Sequence, residues 1–338
     1  MPSTTSGAPS LINLIKFYQD KALTPATHST YNTGAKVYRN FCAMNNFMPY
    51  SGHLPAITES LLCQFSVHCA YHLKLSYSTI KLYLAGVRNL YVSNGYPYVD
   101  SSTFHALNLT LRGIKKCTTV NPVIRLPITL AILQDICDGL NAGIHSPYMD
   151  SLMKAACCVA FFGFLRCGEF TTPTKDFLPN IHLSLADLVK QQLQNSTTFY
   201  TLHIKVSKTD PFGEGVNVFL FANDSKCCPV KALDSFLLLR DHSQSQEPLF
   251  MMPNGSPLSR TVFIDLLRET LRRSGHRPLA ELYSGHSFRL GAGNTAAAAN
   301  LPDYIISSLG RWKSSSYRRY TQTDFKAFQV AQQKLAHC

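Results

Sequence analysis

Apolar residues recur at helical spacing through most of the first 117 positions of the chain. The clearest case is the stretch SYSTIKLYLAGVRNLYVSNG, whose apolar positions lie three or four residues apart: Ile80, Leu84, Val87 and Tyr91. No strand pattern interrupts this region. We therefore predict a helical domain over residues 11–118, preceded by a Ser/Thr/Pro/Gly-rich segment, residues 1–10, that we expect to be disordered.

The helical pattern is broken by the segment TTVNPVIRLPIT, which carries Pro122 and Pro127. We interpret residues 119–127 as a linker and residues 128–338 as a second domain. Two domains suit a chain of 338 residues, of which 45% are apolar.

The second domain combines helical and strand patterns. The segment LAILQDICDGLN predicts its first helix, and a very apolar helix is expected from about Ser151 to Phe164. Further on, TFYTLHIKVSKTDPFGEGVNVFLF places β-branched and aromatic residues on both sides of a turn, which predicts a β-hairpin. Helical patterns resume in SRTVFIDLLRETLRRSG and AGNTAAAAN. The pattern predicts a mainly α protein with a small β-sheet, in which the second domain is α+β.

Charge distribution points to a polyanionic partner. The net charge is +12, and residues 1–118 contain ten Lys and Arg against three acidic residues. Lys74, Lys81 and Arg88 recur every seven residues, away from the apolar face. We predict that these three residues contact a DNA backbone, although such a stripe is also typical of a solvated helix face.

Cysteines and apolar runs argue against disulfides, metal and membrane. The 11 cysteines form no CxxC pair, and we interpret the nearest metal-like group as ordinary helix positions: Cys63, His68, Cys69 and His72. The N-terminal MPSTTSGAPS lacks the features of a signal peptide. The longest apolar run, AACCVAFFGFL, is too short to cross a bilayer. We expect an intracellular protein with reduced thiols, no metal and no membrane contact.

Two charged residues stand out in the first part of the second domain. Arg166 closes an apolar segment in FFGFLRCGEF, with Glu169 three residues later. Lys208 lies at the mouth of the hairpin turn in KVSKTDPFG. Taken singly, each has a structural explanation: a buried Arg–Glu pair can hold a helix end, and turn lysines are usually solubilising.

Two further motifs follow. In GHSFRLGAG, His286 and Arg289 stand three apart, so they share a helix face, where an arginine can grip a phosphate beside an imidazole. GRWKSSSYRRYTQ contains the single tryptophan, Trp312. Its three serines predict a helix start that would bring Tyr317 and Tyr320 to nearby faces, so either tyrosine could reach a phosphate.

Together these motifs resemble the tyrosine recombinase (phage integrase) family. The resemblance rests on GFLRCGE, SKT, HSFR and LGRWKSSSYRRYTQ, in that order, and the GRWKS…YxRY form is most similar to recombinases of eukaryotic DIRS and Crypton mobile elements. It implies an N-terminal core-binding domain followed by a catalytic domain. The chain departs from the family in three ways: Trp312 stands where most members have histidine, its spacing to Tyr320 is about one residue shorter, and the segment between Arg166 and Lys208 is longer.

The resemblance implies strand cleavage through a 3′-phosphotyrosine without metal or cofactor. The implied nucleophile is Tyr320, which stands in RYT, with Tyr317 as the rival. The other implied roles are phosphate clamping by Arg166 and Arg289, leaving-group protonation by Lys208, proton transfer by His286, a phosphate contact or packing by Trp312, and support by Glu169.

The expected partners are double-stranded DNA and further copies of the chain, in a tetrameric synapse. The C-terminal FKAFQVAQQKLAHC would dock on a neighbouring protomer or pack on its own domain. The substrate implies a nuclear location. Two other functions fit the same motifs: a domesticated, catalytically silent DNA-binding protein, and a topoisomerase of the type IB kind.

Overall fold

The computed structural model describes residues 10–48, 53–98, 103–117, 125–194, 196–207, 210, 212–240 and 245–312. The chain divides into two compact units, Met1–Pro122 and Val123–Cys338. The predicted disordered segment, residues 1–10, lies outside the described residues except for Ser10, and so does most of the predicted linker.

The described part of the first unit is helical. Its helices are α1 Leu11–Lys21, α2 Pro25–Met44, α3 Glu59–Tyr71, α4 Tyr77–Ser93 and α5 His105–Cys117. A serine or threonine caps the N-terminus of each of the first four helices by accepting a backbone N–H: Ser10, Thr24, Thr58 and Ser76.

Helices α2 and α4 approach each other closely at two glycines. A Cβ on Gly34 would lie 2.7 Å from the Cα of Tyr83, and one on Gly86 would lie 2.6 Å from the carbonyl oxygen of Tyr31. Only glycine permits this backbone contact. The two helices therefore pack with their backbones in direct contact.

The apolar face predicted for α4 packs into the core of the first unit, where Ile80, Val87 and Tyr91 are buried and Leu84 is partly buried. The heptad of basic residues does not run along a single helix. Helix α4 begins at Tyr77, so Lys74 lies in the turn between α3 and α4, with a left-handed φ of 53°.

The described part of the second unit combines helices with a small sheet. The helices are α6 Leu130–Asn141, α7 Pro147–Phe162, α8 Cys167–Phe170, α9 Pro229–Leu239, α10 Arg260–Leu271, α11 Ser287–Ala298 and α12 Asp303–Gly310. The strands β1 Leu188–Gln192, β2 Thr198–Ile204 and β3 Val216–Phe221 form an antiparallel sheet in the order β1-β2-β3. The sheet packs against helix α9. The predicted mainly α fold with a small sheet is confirmed.

Helix α7 forms the centre of the second unit. Ten of its residues are buried, and they include an unbroken run from Ala155 to Phe161. The helix begins four residues earlier than predicted, because Ser146 caps it and Pro147 occupies its first position. It ends at Phe162, and Gly163 is its C-cap.

Helix α11 is fixed against the chain segment that enters α6. The N–H of Ile128 donates to the carbonyl of Ser287 at 2.9 Å, and the N–H of Leu126 donates to that of Leu282 at 3.1 Å. A Cβ on Gly291 would lie 1.7 Å from the carbonyl oxygen of Ile128. A glycine is therefore required where α11 crosses this segment, and the crossing fixes the start of α11.

Within the described ranges, no helix combines the length and the apolar character that a bilayer crossing requires.

Candidate active site

Arg166 lies in the turn that follows the buried helix α7. Phe164 adopts a left-handed φ of 49°, and Leu165 then donates its N–H to the carbonyl of Ala160, which closes the end of α7. Arg166 is the N-cap of the short helix α8. Its side chain is 23% exposed, so it lies at the edge of the core and is partly accessible to solvent.

Glu169 is a buried carboxylate that holds this turn. One of its oxygens, Oε1, accepts from Nη1 of Arg166 at 2.8 Å, and the other, Oε2, accepts from the backbone N–H of Arg166 at 2.9 Å. The same Oε2 accepts from Nη2 of Arg311 at 2.7 Å. The contact expected between Glu169 and Arg166 is therefore present, and a second arginine shares the carboxylate.

His286 is the half-buried N-cap of α11. Burial lowers its pKa below the ordinary value of 6.5, and the positive charges of Arg289, Arg125 and Arg166 lower the pKa further. The imidazole is therefore neutral near pH 7, which is the form that can accept a proton.

Arg289 is almost fully buried, at 2% exposure. Its Nη1 donates to the carbonyl of Phe164 and its Nη2 to the carbonyl of Gly310. These bonds use two of the five N–H groups of a guanidinium. They link the ends of helices α7 and α12 through one arginine.

Trp312 is half-buried against Arg289. The Arg289 guanidinium carbon lies 4.6 Å from the centre of the indole ring, and the ring of Phe164 meets the indole edge-on at 6.1 Å. The turn is set by Arg311, which ends α12 with a left-handed φ of 53°. This turn directs Trp312 back toward the end of α7.

Arg311 was not predicted from the sequence as a site residue. Its side chain is 13% exposed and contacts residues more than 140 positions earlier in the chain. The available signal was its place between a helix-ending glycine and the single tryptophan, in the same motif as the two candidate tyrosines.

The structure thus brings together Arg166, His286, Arg289 and Trp312 from three chain segments. Lys208, Tyr317 and Tyr320 lie outside the described residues. Asp210, which follows Lys208 by two residues in the sequence, accepts the backbone N–H groups of Glu214 and Gly215 through its carboxylate, just before β3 begins.

The three arginines and one glutamate leave positive charge in excess at this site. Such a cluster favours an anion with several oxygens, because a guanidinium can donate two parallel N–H bonds to it. Among the described residues, no group of three or more His, Cys, Asp or Glu side chains is placed to hold a metal ion. The arrangement can stabilise negative charge on such an anion next to a neutral imidazole.

The predicted DNA-contacting residues lie in the first unit. Lys81 and Arg88 are exposed on α4, and Lys74 is exposed in the turn before it. The Lys74 ammonium lies 4.7 Å from the centre of the Tyr71 ring, and that of Lys81 lies 6.0 Å from the centre of the Tyr77 ring.

Comparison with known proteins gives no match to any family model and none to a curated protein. Solved structures match most of the chain. One is the XerH site-specific recombinase bound to its palindromic difH substrate, with a TM-score of 0.62 and 16% identity over 90% of this chain and 78% of that one. The chain has the fold of the tyrosine recombinases.

Two further structures with the tyrosine recombinase fold match at 13% identity and a TM-score of 0.53. A lambda integrase dimer bound to a COC′ core site is covered over 95% of its length and covers 94% of this chain. The Tn1549 transposon integrase in complex with transposon right end DNA is covered over 99% and covers 92% of this chain. The likeness spans both units of the chain.

Proposed function

We propose that this chain is a site-specific DNA recombinase that cleaves and rejoins DNA through a covalent bond to tyrosine. The observation that carries the proposal is the convergence of Arg166, His286, Arg289 and Trp312 within a tyrosine recombinase fold. Because one fold can host several functions, these side chains, and not the fold alone, indicate the chemistry.

In the proposed cleavage step the phenolic oxygen of Tyr320 attacks the scissile phosphorus. An O–P bond to tyrosine forms, the bond from phosphorus to the 5′ oxygen breaks, and the energy of the phosphodiester is kept for rejoining. His286 takes the phenolic proton, and Lys208 donates a proton to the departing 5′ oxygen. The roles of Tyr320 and Lys208 follow from the sequence resemblance, since both lie outside the described residues.

The transition state of this step gathers negative charge on the non-bridging oxygens. Arg166 and Arg289 would stabilise that charge, and Trp312 would hold Arg289 in place by stacking on it. The neutral state of His286 supports its role as proton acceptor. Since the phosphate is only transferred between oxygens, the proposed reaction consumes no oxidant, reductant or nucleotide.

The first unit would hold the DNA. Its described residues include exposed cations on α4, and residues 1–118 carry ten basic against three acidic side chains. The XerH, lambda and Tn1549 proteins were all solved with DNA, which supports duplex DNA as the partner of this chain. We extend the proposal to a tetrameric synapse, which the family resemblance implies, and to a nuclear location, which the DNA substrate implies. The motif GRWKS…YxRY extends it to a mobile element of the DIRS or Crypton type.

A trapping experiment tests the proposal. A preferred duplex is selected by binding from a random-sequence library, and a nick is placed in it so that the cleaved end diffuses away. Wild-type protein should then give a protein–DNA adduct that survives denaturing electrophoresis. The adduct should form in the presence of EDTA, be lost in Tyr320→Phe and persist in Tyr317→Phe.

Each other result has a defined meaning. An adduct lost in Tyr317→Phe and kept in Tyr320→Phe would transfer the nucleophile to Tyr317. A wild-type protein that binds the selected duplex and gives no adduct would instead be a silent DNA-binding protein. Relaxation of supercoiled plasmid without sequence preference would identify a topoisomerase.

A further inference from the structure

Arg311 adds a third guanidinium to the site that contains Arg166 and Arg289. It is the C-cap of α12, and its side chain crosses to the end of α7, where Nη1 donates to the carbonyl of Gly163 at 3.1 Å and Nη2 to that of Phe164 at 3.4 Å. Nη2 also donates to Oε2 of Glu169 at 2.7 Å. A single side chain thus joins the ends of two helices that carry site residues.

Because Arg166 and Arg311 share the Glu169 carboxylate, the net charge that a bound phosphate would meet is more positive than that of a single Arg–Glu pair. A one-to-one pair of Arg166 and Glu169 would be neutral overall and would attract an anion weakly. Because Arg311 occupies the other oxygen of Glu169, the carboxylate is divided between two guanidiniums. Arg166 is held by Glu169 while the pair of arginines retains a net positive charge.

Arg311 is also connected to the second proposed clamp residue. The carbonyl of Phe164 accepts from Nη1 of Arg289 and from Nη2 of Arg311. Arg311 is therefore linked to Arg166 by the shared Glu169 carboxylate and to Arg289 by the shared Phe164 carbonyl. Its guanidinium thus shares one acceptor with each of these two guanidiniums.

This arrangement is costly for a residue that only ends a helix. Glycine or asparagine adopts a left-handed φ at lower cost than arginine. The Nε–H of Arg311 is buried without a hydrogen-bond partner among the described residues. Burial lowers the pKa of Arg311, and Arg166 lowers it as well, whereas Glu169 acts in the opposite direction. A helix end alone explains neither the buried charge nor its partner.

We propose that Arg311 is a positioning residue for phosphoryl transfer: it divides the charge of Glu169 with Arg166 and sets Arg166 and Arg289 at the spacing that a scissile phosphate requires. This inference rests on the proposed recombinase function. It assigns to Arg311 an effect on the rate of the chemical step and not on DNA binding.

The test compares variants in single-turnover cleavage of the nicked duplex at saturating protein. Arg311→Gln removes the charge and retains only a shorter side-chain amide donor, and Arg311→Lys keeps the charge. The matched control is Arg273→Gln, which removes an exposed arginine whose Nε lies 2.7 Å from Glu269 in the same unit. Thermal unfolding and affinity for the uncleaved duplex are measured for every variant.

A second substrate separates a charge effect from a folding effect. In a methylphosphonate at the scissile position, a neutral methyl group replaces one charged non-bridging oxygen. Arg311→Gln should cleave the phosphate substrate at least about tenfold more slowly than wild type. On the methylphosphonate, the same ratio of variant to wild-type rate should approach one, because less negative charge requires stabilisation. Arg311→Lys should recover part of the loss, and Arg273→Gln should match wild type on both substrates.

The outcomes separate this inference from the proposed function. If wild-type protein forms no adduct, the proposed function fails and the inference with it. If wild type cleaves and Arg311→Gln cleaves the phosphate substrate equally fast, the inference alone is overturned. It is also overturned if Arg311→Gln is slower by the same factor on both substrates, since Arg311 would then act only through the fold. The same conclusion follows if Arg311→Gln unfolds at the assay temperature and Arg311→Lys matches wild type on both substrates.

Discussion

The guanidinium of Arg289 lies over the indole ring of Trp312, with 4.6 Å between the guanidinium carbon and the ring centre. A desolvated contact of this kind contributes about 2 kcal/mol. It also fixes the plane of a guanidinium whose two Nη atoms already donate to carbonyls of α7 and α12. The tryptophan is therefore part of what orients the buried arginine.

Substitution of Trp312 tests this orientation. Trp312→Phe keeps a smaller aromatic face without the indole N–H, whereas Trp312→Ala removes the face altogether. We expect the single-turnover cleavage rate to fall about tenfold in Trp312→Phe and about a hundredfold in Trp312→Ala, with little change in DNA affinity. Equal losses in the two variants would mean that the N–H, and not the stacking, carries the effect.

Acidic pH should inhibit cleavage through His286. Burial and the neighbouring arginines lower the pKa of His286 below 6.5, so the imidazole is mainly neutral at pH 6.5 and above, and the single-turnover rate should fall mainly below that pH as the ring becomes protonated. The measurement is the rate from about pH 5 to pH 8 in wild type and in His286→Gln, which should be slower and lack this acidic limb. An acidic limb centred above pH 6.5 would contradict the lowered pKa.

The lowered pKa of His286 also predicts how the stability of the fold changes with pH. Below pH 6.5 the unfolded chain binds a proton at His286 more readily than the folded chain does, so the free energy of unfolding should decrease as pH falls through this range. The decrease should be smaller in His286→Gln, which has no proton to bind.

Replacement of Gly291 should destabilise the second unit. A methyl group there would lie 1.7 Å from the carbonyl oxygen of Ile128, so α11 must move away from the segment that enters α6. We expect Gly291→Ala to lower the free energy of unfolding by about 3 kcal/mol and to impair cleavage, because His286 begins the displaced helix. In Gly168→Ala, where the added methyl meets no atom within 4 Å, the change should stay below about 1 kcal/mol.

The exposed cations of α4 should contribute to DNA affinity through the phosphate backbone. Replacing both Lys81 and Arg88 with alanine should weaken binding to all duplex sequences and reduce the slope of log affinity against log salt by about 2. Lys226→Ala serves as the control, since that lysine is also exposed but is paired with Asp138 in the second unit. An unchanged salt slope in the double variant would identify α4 as a solvated face.

Elements with strong periodicity were predictable from the sequence. The segment LAILQDICDGLN predicts the helix that the structure shows at Leu130–Asn141, and β2 and β3 form the predicted hairpin. Strand β1 was missed because four of its five residues, in LVKQQ, are exposed. An edge strand of this kind lacks the alternation of buried and exposed positions that predicts a strand.

Long-range contacts explain what the sequence did not predict at the site. Arg166 and Glu169 are three residues apart, so their pairing was expected. Arg311 reaches the same carboxylate from 142 positions along the chain, and local spacing contains no information about that contact. Lys74 was misplaced because the seven-residue spacing of the basic residues continues across the turn between α3 and α4.

The hydrogen bonds of Leu126 and Ile128 have a mechanical consequence. Their acceptors, the carbonyls of Leu282 and Ser287, lie on either side of His286 in the chain. The segment that enters α6 is therefore hydrogen-bonded to the backbone on both sides of His286. A displacement of the segment Leu126–Ile128 would therefore move the backbone on both sides of His286, the residue to which the proposed mechanism assigns the proton transfer.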